Sequence, residues 1–157
     1  MPVIICEMAY HEVVIAMEDA NLQREHILSS EKAFAYKMKR ESLNHQIGAS
    51  AQVLGKLLSI EKVGEDSGDS RNQVHRYIRI TYLIPELLSM VDDAKTAFNP
   101  AAELSYLDSS EQRVLINAME LNDCTPSHAQ AIVLKRILKL GNFKRKQKAT
   151  TRKIHLE

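Results

Sequence analysis

The chain has 157 residues, of which 45% are hydrophobic and 26% charged, and its formal net charge is +1. This length suffices for one domain or two small ones, and the small net charge excludes a global field that attracts nucleic acid. The two cysteines, Cys6 and Cys124, form no CxxC pair, which indicates a reducing compartment. No apolar run approaches the ~20 residues of a membrane span. The start of the chain is not a signal peptide, so we expect a cytoplasmic protein without a membrane partner.

The first elements in chain order are a short strand and two helices. A β-branched run over Pro2–Met8 predicts the strand, for which no nearby segment offers a partner. Helical spacing follows over His11–Ala20, and Ser30 is expected to cap a second helix that reaches about His45. The apolar residues assigned to these helices are Val13, Val14, Met17, Ala33, Phe34 and Met38.

The remaining elements are helices on both sides of a tight central turn. Ser59 is expected to cap a short helix, Ile60–Asp66, and Ser70 is expected to cap the next one, which runs from Arg71 to about Thr81. Prolines and capping residues predict later helices that start at Pro85, near Pro100, at Asp108 and at Thr125, with Gly141 ending the last. The fold class is therefore mainly α, a multi-helix domain preceded by a short strand.

The central pair of helices has the pattern of a helix-turn-helix, from about residue 60 to residue 80. In this motif the second helix crosses the first at a small residue, and Gly64 occupies that position. The turn needs a residue that tolerates positive φ, which Gly68 provides. Apolar residues at helical spacing predict the buried side, which consists of Val63, Val74 and Ile78.

The opposite side of the second helix carries hydrogen-bond donors and positive charge. Arginine recognises guanine, and asparagine or glutamine recognises adenine, by paired hydrogen bonds. Ser70 can cap the helix and also donate to a phosphate. The predicted DNA-binding residues are Ser70, Arg71, Asn72, Gln73, His75, Arg76 and Arg79. An ordinary helical hairpin with a solvated cationic helix is the alternative, and spacing alone does not separate the two.

Several segments, in the same order, resemble the ParB/RepB-type DNA partition proteins. The central segment Ser59–Leu88 contains the family's G-x-S-R turn and a Pro-led helix, and Ala97–Leu104 resembles the helix that follows. Upstream, Ala20–Arg24 resembles the family's E-N-x-x-R box, and Ser30–Tyr36 resembles the helix after it. Together these stretches cover most of residues 3–140.

The resemblance implies sequence-specific binding of double-stranded DNA in plasmid or chromosome partition, by a bacterial protein associated with the nucleoid or a plasmid. In that family an N-terminal domain binds CTP with magnesium, hydrolyses it slowly and closes around DNA as a clamp. Here Ala20 replaces the box's glutamate, and the family's arginine-rich nucleotide motif is missing. Only Asn21 and Arg24 then remain of the nucleotide site. We therefore expect no cofactor, no metal site, no catalytic residue and no CTP hydrolysis.

The expected organisation has three parts. Residues 1–46 are a remnant of the family's N-terminal domain with connecting helices, residues 47–141 are the DNA-binding domain, and residues 142–157 are a basic tail that either contacts phosphates or is solvated. The C-terminal dimerisation domain of the family is expected to be absent, which makes the chain a shortened member. Two other functions stay open: a transcriptional regulator with the same domain, and an adaptor without DNA affinity. The adaptor would bind an intact partition protein through exposed helices near Glu12–Glu25. A second copy of the chain is a further partner that stays open.

Overall fold

The computed structural model describes residues 7–47 and 52–139. These residues form seven α-helices and an eighth helix over residues 128–139, with no strand among them. The expectation of a mainly α fold is confirmed. The strand expected at Pro2–Met8 falls largely outside the described residues, and its last two residues, Glu7 and Met8, belong to no strand.

The described residues form two compact units that divide between Thr81 and Tyr82. The domain boundaries expected at residues 46 and 141 stay predictions, and the basic tail lies outside the described residues. In the part of the chain that the structure describes, no helix is both long enough and apolar enough to cross a membrane.

The first unit consists of four helices. They are α1 (Tyr10–Leu22), α2 (Ser29–Ile47), α3 (Gln52–Ser67) and α4 (Arg71–Ile80). Helix α2 packs against each of the other three, and α3 also packs against α4. The centre of this packing is a buried cluster of Tyr36, Leu43, Val63, Val74 and Ile78.

Two capping residues expected in this unit do not cap their helices. Helix α2 begins one residue before Ser30, and the N–H of Leu28 donates to the Glu31 carboxylate at 3.2 Å, so the glutamate satisfies the helix start. Ser59 lies inside α3, which begins at Gln52. Its side chain is buried and its hydroxyl donates to Asn44 Oδ1 at 3.0 Å, so this serine joins α3 to α2 instead of starting a helix.

The apolar sides of the first two helices are narrower than the sequence predicts. Val14 is buried as expected, but Val13 and Met17 are about half exposed, each at 47%. Phe34 and Met38 are also exposed, at 43% and 40%. Ala33 is buried as expected, and the side of α2 that faces its neighbours also carries Tyr36, Lys39 and Leu43.

A buried lysine connects three helices of this unit. The side chain of Lys39 on α2 is fully buried and forms ion pairs with Asp19 of α1 and Asp66 of α3, the latter at 2.8 Å. Burial lowers the pKa of Lys39, but hydrogen bonds to the two carboxylates outweigh it, so the pKa lies above the ordinary lysine value. A buried cation is tolerated only when it is paired in this way.

The second unit contains α5 (Pro85–Asp92), α6 (Phe98–Leu104), α7 (Ser109–Asn122) and the helix over residues 128–139. Pro85 occupies the first turn of α5, and Asp108 precedes α7 with its N–H donating to Glu111 at 3.0 Å, both as expected. Gln112 is buried and its amide binds three backbone groups. It accepts from Ile84 N–H at 2.8 Å and donates to the carbonyls of Leu107 and Tyr82. Gly141, the expected end of the last helix, lies outside the described residues.

Candidate functional site

Helices α3 and α4 are joined by a turn of three residues, Gly68, Asp69 and Ser70. Gly68 has a φ of 71°, in the left-handed region that favours glycine, as expected from the sequence. A Cβ on Gly64 would lie 2.6 Å from the carbonyl oxygen of Asp69, so α3 and the turn approach more closely than any other residue would allow. The N–H of Asp69 also donates to Gly64 O at 3.1 Å. Both glycines therefore serve the tight connection of the two helices.

Ser70 begins α4 by capping it. Its Oγ accepts a hydrogen bond from the N–H of Gln73 at 3.3 Å, which confirms the expected cap. Ser67, the last residue of α3, is also tied to its own helix, because its hydroxyl donates to Val63 O at 2.7 Å. The turn is thus defined by local hydrogen bonds on both sides.

The two sides of α4 differ in chemistry. Val74 is fully buried and Ile78 is 2% exposed, and both pack in the cluster that contains Val63, as the sequence predicts. The exposed side brings most of the predicted DNA-binding residues together. Ser70, Arg71, Asn72, His75 and Arg76 are exposed, and Gln73 and Arg79 are half-buried. The helix therefore presents donors and cations outward from a fixed apolar base.

The electrostatic environment of His75 reveals a cluster of positive charge. The pKa of His75 is lowered from 6.5 by burial and by the nearby charges of Arg79, Arg40 and Arg71. Two of these arginines belong to α4, but Arg40 belongs to α2 and was not among the residues predicted from the sequence. Cations that converge from two helices create a local positive surface despite the small net charge of the chain.

Arg71, the first arginine of α4 in this surface, forms an ion pair with an acid of α3. Arg71 Nη1 lies 3.5 Å from Glu61 Oε1 of α3, and both side chains are about half exposed. An exposed pair of this kind contributes about 0–1 kcal/mol. The pair with Glu61 therefore holds Arg71 only weakly.

A network that sequence reasoning did not find holds the turn to α2. The Tyr36 hydroxyl donates to Asp69 Oδ2 at 2.6 Å, and Lys32 Nζ lies 2.8 Å from the same oxygen. Lys32 also lies over the Tyr77 ring of α4, 4.9 Å from its centroid. Burial and the hydrogen bond to Asp69 raise the pKa of Tyr36 to about 12. Burial alone would raise the pKa of Asp69, but the hydrogen bonds from Lys32 and Tyr36 outweigh it and lower that pKa.

The residues that resemble the nucleotide box lie at the end of α1. Asn21 is half-buried in the last turn of the helix, while Ala20 and Arg24 are exposed. Within residues 7–47 and 52–139, no three His, Cys, Asp or Glu side chains are grouped so that they could hold a metal ion.

Comparison with protein-family models gave no match, and comparison with curated proteins gave none. The resemblance to partition proteins therefore stays a prediction from the quoted motifs.

Proposed function

We propose that the chain binds double-stranded DNA sequence-specifically, with α3 and α4 acting as a helix-turn-helix. The observation that carries this proposal is the two-sided α4, in which Val74 and Ile78 are buried while Arg71, Asn72 and His75 are exposed together. A recognition helix needs this division, because its apolar side fixes its position while its polar side enters the major groove. The close approach at Gly64 and the positive φ of Gly68 support the same interpretation.

Position along α4 suggests a division of roles. Recognition helices contact base edges mainly with their N-terminal residues, and here those residues are Arg71 and Asn72. The Ser70 hydroxyl accepts from Gln73 N–H, so its own hydrogen can be donated to a phosphate. Arg76 follows a turn later and is exposed, which suits a contact to the sugar–phosphate backbone. We therefore assign base recognition to the first turn and positioning to the remainder.

Fluorescence anisotropy with a labelled duplex tests the electrostatic part of this proposal. Affinity should decrease linearly on a log–log plot against salt, because each neutralised phosphate releases counterions. Arg76→Ala should weaken binding to all duplexes equally and reduce the magnitude of the slope by about 1. A duplex affinity that does not depend on salt would contradict the proposal.

We further propose a role in plasmid or chromosome partition, which rests on the resemblance to ParB/RepB-type proteins. Mapping of bound sites in cells tests this role. Partition predicts bound sites that are not confined to promoters, together with nucleoid or plasmid association. Sites confined to promoters would instead indicate a transcriptional regulator that uses the same helix pair.

We propose that this function requires no CTP and that the chain is not an enzyme. Ala20 stands where the family's box has a glutamate, and its methyl group cannot coordinate a hard cation such as magnesium. Exposed Arg24 could attract a phosphate only weakly. Calorimetric titration with CTP and magnesium is the test, and saturable micromolar binding would contradict the proposal.

A second candidate function is docking to another protein through α1. Tyr10, Val13 and Met17 lie three and four residues apart and are 76%, 47% and 47% exposed, so they form an apolar stripe. This stripe suits an adaptor that binds an intact partition protein. Calorimetry with such a purified protein should show binding that Val13→Ser weakens. The control, Val114→Ser, changes a valine on α7 that is also exposed, at 69%, and should have no effect.

A further inference from the structure

Arg40 lies on the side of α2 that faces the candidate recognition helix. Tyr36 and Leu43 of α2 pack in the same buried cluster as Val74 and Ile78 of α4. Arg40 is four residues after Tyr36 and three before Leu43, which places all three on one side of the helix. Its spacing therefore places Arg40 on the side of α2 that packs in this cluster with α4.

The Arg40 guanidinium is held weakly by its surroundings. Its side chain is 22% exposed, and Nη2 lies 3.9 Å from the adjacent Glu41, at the outer limit of an ion pair. Its Nε is buried and has no hydrogen-bond partner among the described residues. A partly exposed arginine whose ion pair with Glu41 is long is suited to an anion that approaches from solvent.

A second observation places this cation close to the exposed side of α4. The charge of Arg40 contributes to the lowered pKa of His75, together with Arg79 and Arg71 of α4. A charge on α2 therefore extends the positive surface beyond the recognition helix. Because Arg40 belongs to α2 and not to α4, a contact from it to a duplex would be to the sugar–phosphate backbone and not to a base edge.

We propose that Arg40 contacts a DNA phosphate next to the groove that α4 enters, and so positions the recognition helix without recognising bases. This assignment rests on the proposed DNA-binding function. The planar guanidinium can donate two parallel hydrogen bonds to one phosphate, which lysine cannot do. Arg40 thus holds the duplex from a helix next to α4, and α2 becomes part of the proposed DNA interface.

The test compares the full chain with single variants by anisotropy titration at several salt concentrations. Arg40→Ala should weaken binding about tenfold, equally for a selected duplex and for an unrelated one, and should reduce the magnitude of the salt slope by about 1. Arg40→Lys should retain most of the slope but lose part of the affinity. Arg113→Ala is the matched control, since it removes one exposed arginine of α7 to which no DNA contact is assigned, and it should change neither quantity.

The outcomes separate the Arg40 assignment from the DNA-binding function. If Arg40→Ala binds DNA with unchanged affinity and slope while Arg71→Ala alters base preference, Arg40 is not a contact but the proposed function stands. If the unaltered chain shows no salt-sensitive affinity for duplex DNA, both proposals fail together. If Arg40→Ala unfolds the unit, the test uses Arg40→Gln, which keeps part of the stem, and the same loss of slope is required.

Discussion

Replacing Gly64 by alanine tests the close approach between α3 and the turn. The added Cβ would lie 2.6 Å from Asp69 O, 3.5 Å from Val74 Cγ2 and 3.7 Å from Arg71 N. Only the first distance is too short, but its partner is a backbone atom. Asp69 cannot easily move, because its N–H binds Gly64 O and its carboxylate binds Lys32 and Tyr36. The strain must therefore be distributed over the turn and the start of α4.

Two opposing effects determine how much Gly64→Ala changes the free energy of unfolding. Alanine in place of glycine inside a helix gains about 1 kcal/mol of intrinsic stability. Overpacking a well-packed site costs about 1–3 kcal/mol, and the upper end applies here because a backbone carbonyl has to shift. We therefore expect Gly64→Ala to reduce the free energy of unfolding by about 2 kcal/mol. It should also weaken DNA binding, because the displaced turn carries α4 with it.

Urea denaturation followed by circular dichroism measures the change in stability, with amide NMR shifts of α4 to locate it in the first unit. Glu65→Ala is the matched control, since Glu65 is the next residue of α3 and is exposed. Glu65→Ala should change the free energy of unfolding by no more than about 0.5 kcal/mol. A Gly64→Ala protein as stable as the unaltered chain would refute the reasoning, because it would mean that the turn relaxes freely.

Three further predictions concern α4. Arg71→Ala should weaken binding to a selected duplex by about 1–3 kcal/mol and relax the preference at one base position, as measured with single-position variants of that duplex. Val74→Asp should unfold the first unit, because the carboxylate would be buried without a partner, and loss of helical circular dichroism would report this. Affinity for DNA should rise as the pH falls below about 6.5, the ordinary histidine value, because phosphates favour the protonated form of His75.

Each of these predictions has a contradicting outcome or a further variant on α4 that tests it. If the affinities of Arg71→Ala for the single-position variants keep the same ratios to one another as those of the unaltered chain, base recognition by Arg71 is ruled out. Asn72→Asp introduces the same acid on the exposed side and should leave the fold intact, so unfolding of both variants would remove the argument from burial. His75→Gln should abolish the dependence of affinity on pH. The free energy of unfolding of the free protein should change in the other direction from the affinity for DNA. Because the pKa of His75 is lowered in the folded chain, the unfolded chain takes up the proton more readily, and stability should fall as the pH drops through 6.5.

Local constraints made part of the site predictable from the sequence. Gly64, Gly68 and Ser70 each satisfy a requirement set within a few residues, namely a close approach, a positive φ and a helix cap. The buried positions of Val74 and Ile78 follow from helical spacing in the same way. A serine by itself does not predict where a helix begins. The hydroxyl of Ser59 donates to Asn44 of α2, and Ser59 lies inside α3 instead of at its start.

The side-chain contacts that hold the turn and α4 in place could not be predicted from the sequence, because they join distant parts of the chain. Tyr36 and Asp69 are 33 residues apart, and no local pattern marks them as partners. Lys39 would be assigned to the surface by its type, yet it is fully buried between two carboxylates. Arg40 is one of many cations in the sequence, and only the packing of α2 on α4 places it near His75.

Selection of bound sites from a random duplex library most directly tests the central claim, that α4 recognises DNA sequence. The unaltered chain should enrich one motif, and its affinity for that motif should exceed its affinity for a scrambled duplex by about 10³-fold or more at physiological salt. The enriched motif should change or broaden when Arg71 is replaced by alanine. Recovery of no motif, with equal affinity for every duplex, would contradict the claim.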